Sequence, residues 1–211
     1  MKQISLLTIA CLLLLTTANA QGYGGIEQYY YASGSGSAGL VPKIFYQTSK
    51  NWYAEARYNY EEAKTFSMVA GKAFSGENMP GCSVTPMAGF ATGQFNGLLL
   101  ALKTELNFKK LFFFSESQYN YAVRNRYSSF IYSWVDAGYK INDQLSAGTA
   151  MQVNISAETG KQLEPGVFIE FSYKKWTFPV YIFNTAAKDR YAVVGVSYEL
   201  IPFKNSGQQK K

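Results

Sequence analysis

The chain has 211 residues, is 47% hydrophobic and 17% aromatic, and carries 16% charged residues with a formal net charge of +6. Its 17 Tyr and 15 Phe are too much apolar surface for a solvated disordered tail. A mean hydropathy of -0.13 also excludes a bundle of membrane helices, because each such helix needs about 20 consecutive apolar residues.

Met1 to Ala20 opens on Lys2, runs through Leu6, Leu7, Ile9 and Leu12 to Leu15, and closes on Ala18-Asn19-Ala20 ahead of Gln21. A basic start, a short apolar stretch and an A-x-A site are the marks of a cleaved secretory signal peptide, expected over residues 1–20. Its removal takes away Lys2 and Cys11. The rival reading of Cys11 as a lipoprotein acceptor leaves Leu12 to Leu15 on the wrong side of the anchor. Cys82 then has no partner within the exported chain, so no internal disulfide forms, and it reads as a small face-filling residue.

After the signal the sequence reads in period two. Residues 23–31 include Tyr29-Tyr30-Tyr31, which has no clear parity, and Ser33 to Gly39 is a Gly/Ser-rich loop. Residues 52–60 put Trp52, Ala54, Ala56, Tyr58 and Tyr60 on one face and Tyr53, Glu55, Arg57 and Asn59 on the other. The pattern is interrupted over 65–92 by Pro80, Pro86 and several glycines. It resumes with Leu98, Leu100, Leu102, Thr104, Leu106 and Phe108 opposite Leu99, Ala101, Lys103, Glu105 and Asn107. Later stretches alternate in the same way. Leu145 to Ile155 opposes its aliphatics to Ser146, Gln152 and Asn154, Val167 to Tyr173 opposes them to Glu170 and Lys174, and Ala192 to Leu200 to Glu199. No helical periodicity fits these segments. Short turn signals such as Asn142-Asp143 and Lys174-Lys175 alternate with more polar connections such as Glu61-Glu62-Ala63-Lys64. The count is about twelve strands, with ten as the alternative, each about 8 to 12 residues and near the length a tilted membrane strand requires.

Alternation alone does not say whether the aliphatic face meets a soluble core or lipid, since lipocalin-like and membrane barrels share the period with opposite polarity. Size and aromatic placement decide. An eight-stranded soluble barrel leaves several strands unused. With Gln21 starting in the periplasm, Trp52, Tyr139, Tyr173, Trp176 and Tyr198 fall on the aliphatic parity at the turn end, and Tyr60 and Tyr121 fall on it at the other. That is the two-girdle pattern of membrane interfaces. The expected fold is all-β, a closed antiparallel transmembrane β-barrel over residues 21–203, with a polar tail at 204–211. A secreted soluble β-barrel or sandwich binding an apolar ligand is the competing reading.

The segments Asn51 to Glu61 and Tyr139 to Gly148, with the final strand Arg190 to Phe203 ending on an aromatic, resemble strand-turn stretches of bacterial outer-membrane β-barrels, in particular small barrels of Bacteroidetes type. The resemblance implies a Gram-negative outer membrane as the address. It carries no active-site motif. Expected partners are outer-membrane lipid, the barrel-assembly machinery and small solutes, with no nucleic acid.

The chain has no histidine. Ser-His and Cys-His nucleophile systems and His-ligated zinc are thereby unavailable, and the glycines at 22, 24, 25, 34, 36 and 39 precede no helix that could cradle a nucleotide. No enzymatic activity, cofactor or metal is expected. The remaining constellation is the charged parity, Glu55, Arg57, Lys103, Glu105, Glu116, Asp136, Glu170, Lys174 and Glu199, which in a membrane barrel is the lumen. Lys103 and Glu116 are expected to come together across the turn at Asn107 to Lys110. Mixed signs on neighbouring strands suit an ion-paired plug, because unpaired charges in a narrow interior carry a large desolvation penalty. A barrel of about twelve strands lies between a filled interior and an aqueous channel. Two readings stay open: a narrow porin-like channel for small solutes, and a closed structural or surface-interaction barrel.

Overall fold

The computed structural model describes residues 22–33, 38–76, 81–124 and 128–201. The expected signal peptide and polar tail lie outside them. The strands in chain order are β1 (Tyr23–Ser33), β2 (Ala38–Gln47), β3 (Trp52–Tyr58), β4 (Thr65–Lys72), β5 (Phe74–Ser75), β6 (Cys82–Gly93), β7 (Gly97–Phe108), β8 (Leu111–Ala122), β9 (Phe130–Lys140), β10 (Leu145–Ser156), β11 (Gly160–Tyr173), β12 (Trp176–Phe183) and β13 (Tyr191–Ile201). Apart from β4 and β5, strands consecutive in the chain pair antiparallel, and β1 pairs with β13 from Gly24↔Ile201 to Ser33↔Tyr191, which closes the ring. β4 pairs directly with β6, and β5 continues β4 on the same partner, so the thirteen segments form a twelve-position barrel.

The interruption between β4 and β5 has a local cause. β4 ends against β6 at Gly71↔Met87 and β5 resumes at Phe74↔Val84, so Thr85 and Pro86 of β6 face the gap. Proline has no N–H to donate, and a ladder running past it loses a bond. The register does not shift across the gap, so Lys72 and Ala73 leave the ladder with β6 without inserting a residue, while the Ala73 amide continues the ladder on the β3 side by donating to the Asn51 carbonyl at 2.8 Å. The interruption at Pro86 is therefore a gap in the ladder inside one barrel position and does not reduce the strand count to ten.

The exterior is apolar. Ile26, Ile44, Met68, Leu98, Ile131, Val167, Ile182 and Val194 are all exposed, and Leu100 is 61% exposed. A continuous aliphatic belt of this kind is unfavourable in water and matches the hydrocarbon of a bilayer. The polarity is the reverse of a soluble lipocalin-like barrel, which corrects the soluble reading. Both ends of the described barrel lie at one rim, the turn end, with the connections 48–51, 109–110, 141–144 and 174–175; the connections 59–64, 94–96, 157–159 and 184–190 form the opposite, loop end. Trp52, Phe74, Phe108, Tyr139, Tyr173 and Trp176 are exposed at the turn end, and Tyr30, Tyr58, Phe66, Phe90 and Tyr119 toward the loop end. Lysines reach over several turn-end rings: Lys72 over Trp52 and Lys110 over Tyr139, both at 5.7 Å, and Lys174 over Tyr173 at 5.2 Å.

Tyr60 departs from its expected place in the loop-end girdle. Asn59 adopts a left-handed backbone with φ of 60° and holds it by donating to the Leu40 carbonyl and accepting from the Lys64 amide. Alternation stops there, and Tyr60 swings inward. The unassigned Tyr29-Tyr30-Tyr31 also resolves: Tyr30 faces outward, while Tyr29 and Tyr31 pack against the interior.

Candidate functional site: the barrel lumen

The lumen is built from the inward parity. Two apolar walls line it. One gathers Phe45, Tyr53, Val69, Met87, Leu99 and Ala101 from β2 to β7; the other gathers Trp134, Phe168, Tyr181, Phe183 and Val193 from β9 to β13. Charged groups lie between them, and they organise the two halves of the lumen differently.

The loop-end half is solid and centred on Arg57, 2% exposed. Its guanidinium pairs with Glu55 on its own strand and with Glu116 across the lumen on β8. It also lies 3.6 Å from Glu61 and donates from Nη1 to Gln118 Oε1 at 2.9 Å. Gln118 in turn donates to Glu61 Oε1 at 3.1 Å and to Asn120 Oδ1 at 2.6 Å. Tyr60 covers the guanidinium, with the ring centroid 4.1 Å from Cζ, and its hydroxyl donates to Glu116. Burial and the nearby Glu116 carboxylate push the Tyr60 hydroxyl well above its usual pKa, so it remains a donor. Phe95, from the connection 94–96, folds in as well and donates its amide to Thr65 Oγ1 at 3.0 Å. Arg57 Nε, Glu61 Oε2 and Asn120 Nδ2 are buried without a protein hydrogen-bond partner, which marks the network as crowded rather than ideally satisfied.

The turn-end half is open. A cavity of about 280 Å³ runs from Tyr23 and Glu105 up to Tyr60 and Glu116. It shares Glu170 with a second space of about 600 Å³ at the turn-end mouth, where Lys109, Lys110, Lys140 and Asp143 stand. Lys43 pairs with Glu27 at 2.9 Å, and Lys103 with Glu105 at 2.8 Å. Asp136 accepts from Trp134 Nε1 at 2.9 Å and from the Tyr181 hydroxyl at 3.1 Å.

Of the residues expected in the lumen, Glu55, Arg57 and Glu116 form the plug, and Lys103, Glu105, Asp136 and Glu170 line the cavity, as Glu116 also does. Glu199 is half-buried on the inward parity of β13 and does not line that cavity. Lys174 is corrected: it occupies the turn 174–175 with φ of 57°, is exposed, and lies over the girdle ring of Tyr173 rather than in the lumen. Lys103 and Glu116 are direct cross-strand partners, as the turn predicts. Their charges nevertheless go elsewhere, Glu116 to Arg57 and Lys103 to Glu105, with the Lys103 ammonium 4.8 Å from the Tyr53 ring centroid. Sequence reasoning missed Glu27, Lys43, Glu61 and Gln118. The ambiguous parity of 23–31 hid Glu27, and nothing in a linear pattern shows a loop residue such as Glu61 turning inward.

No protein-family model and no curated protein sequence matches the chain. Among solved structures it is similar to the KdgM porin, with a TM-score of 0.61 and 14% identity over 82% of this chain and 98% of that one. It is also similar to the NanC porin, with a TM-score of 0.63 and 12% identity over 84% of this chain and 100% of that one. A structure of KdgM porin in complex with disordered oligogalacturonate gives a TM-score of 0.60. At these identities the likeness is one of fold alone: a closed antiparallel β-barrel.

Proposed function

We propose that this protein is a narrow porin-like channel for small solutes in the outer membrane of a Gram-negative bacterium, exported with a cleaved signal peptide. The carrying observation is the cavity of about 280 Å³ that shares the lining residue Glu170 with a wider turn-end vestibule, inside a barrel with a lipid-facing exterior. The fold shared with KdgM and NanC porins supports the same reading. In it the Arg57 network is the constriction, and passage requires the Arg57–Glu116 contact across the lumen to open.

The test is electrical. Folded protein in planar bilayers is expected to give small discrete conductance steps, and Glu116→Gln, which weakens the hold on Arg57, is expected to enlarge them. The network also supports a closed structural or surface-interaction barrel. That reading predicts silent bilayers for both proteins, while unboiled and boiled samples still migrate differently on SDS gels.

A further inference from the structure

The turn-end cavity holds an imbalance of charge. Lys43 pairs with Glu27 and lies 3.9 Å from Glu55, Lys103 pairs with Glu105, and Glu116 belongs to Arg57. Asp136 and Glu170 remain, and among the described residues neither takes part in an ion pair. Asp136 is only 7% exposed. Its two donors, Trp134 Nε1 and the Tyr181 hydroxyl, fix the direction of the carboxylate and bring no positive charge. An uncompensated carboxylate in a confined space is neutralised either by a proton or by a bound cation, and the surroundings of Asp136 favour the cation.

The walls around it are aromatic. Trp134 and Tyr181 stand edge to face at 4.9 Å, Tyr29 lies 6.4 Å from Trp134 across the lumen, and all three line the cavity. Ring faces attract cations, Trp most strongly, and the attraction grows when water is excluded. Carboxylate and aromatic faces together are the chemistry that recognises an organic ammonium or guanidinium. The volume lies just under the roughly 300 Å³ at which small-molecule pockets begin, so it suits a few heavy atoms rather than a polymer.

We propose that this cavity binds a small organic cation, a primary ammonium or a guanidinium, between the Asp136 and Glu170 carboxylates and the faces of Tyr29, Trp134 and Tyr181. The inference rests on the porin-like reading and gives it a solute class. An acidic sugar chain, such as the oligogalacturonate of the KdgM complex, would bring further carboxylates into a cavity that already has them in excess. The lysines at the vestibule, Lys109, Lys110 and Lys140, reverse the sign at the mouth. Selection is therefore made one level deeper, at Asp136.

The probes are n-butylammonium and an anion of similar length, n-butyrate. They are titrated calorimetrically into folded full-length barrel in detergent and added to the bilayer recordings. Asp136→Asn/Glu170→Gln is the test variant, with folding checked by gel migration; the amide introduced in place of the Asp136 carboxylate keeps an acceptor for Trp134, and the Tyr181 hydroxyl can accept where it donated. Butylammonium should bind and butyrate should not, and the variant should lose at least about tenfold in affinity, a factor worth about 1.4 kcal/mol. Binding with silent bilayers would uphold the cation site and sink the channel. Conductance indifferent to butylammonium, with no heat of binding, would uphold the channel and overturn the site. Equal binding by wild type and folded variant would overturn the assignment to Asp136 and Glu170.

Discussion

The two halves of the lumen use the same strands and the same alternation, yet one is solid and the other hollow. In the loop-end half a single guanidinium faces three carboxylates, Glu55, Glu61 and Glu116, and a loop ring closes over it. In the turn-end half Lys103 is matched to Glu105 and Lys43 to Glu27, with Glu55 a second, more distant partner of Lys43 at 3.9 Å, and the aromatic walls stand apart around about 280 Å³. Strand pairing fixes the barrel wall. Whether the bore is filled is decided by a few long side chains that reach across it and by one left-handed residue, Asn59, that turns a loop inward.

The sharpest way to break this contrast is to remove the shared cation. Arg57→Met leaves three buried carboxylates with no guanidinium, and losing one partner of a buried ion pair costs about 3 to 5 kcal/mol. Urea titration of the vesicle-inserted barrel, read by tryptophan fluorescence, should show a loss of that size. Adding Glu116→Gln to Arg57→Met should recover part of it, since fewer charges then lie unpaired. Unchanged stability in Arg57→Met would mean that the loop-end half is held by packing alone.

Next in size is the difference between wall and bore. Leu100→Arg places a charge near the middle of the lipid belt and should cost about 2 to 4 kcal/mol. Ser172→Arg, on the inward parity at the vestibule, should fold as the parent does. Equal damage from both, measured in the same titration, would contradict the lipid-facing exterior. Ala101 looks from its parity like an equally tolerant position, but it is buried in the apolar wall beside Tyr53 and Leu99.

That last case shows where sequence stops being informative. Parity alone correctly separates Leu98, Leu100 and Leu102 from Leu99 and Ala101, and Glu55 and Arg57 from Trp52 and Tyr58, because a period of two leaves each residue only two faces. It identifies Glu116 as inward and as the partner of Lys103 in register. It does not say how far a side chain reaches. Arg57 crosses several strands to Glu116, and neither partner's own strand sequence encodes the other. Turns are the second blind spot. Lys174 and Tyr60 both sit one or two residues beyond a strand end, where left-handed residues at 174 and 59 end the alternation on which their assignment depended.

The smallest expected effect concerns what keeps the turn-end half hollow. Phe112, Gly138, Gly148 and Phe168 are consecutive cross-strand partners on β8, β9, β10 and β11. The two rings lean over the two glycines until their centroids are 6.0 Å apart. A Cβ at Gly138 would stand 2.3 Å from the Phe112 ring, so the ring must move, and the free direction is into the cavity it already lines. Gly138→Ala should therefore cost about 1 to 3 kcal/mol, as overpacking does, and should also reduce both conductance and butylammonium affinity. Phe112→Leu in the same chain should restore stability by removing the ring that is pushed. If Gly138→Ala lowers stability but leaves conductance and affinity as they were, Phe112 does not bound the space the solute uses, and the hollow half owes its opening to the charged residues alone.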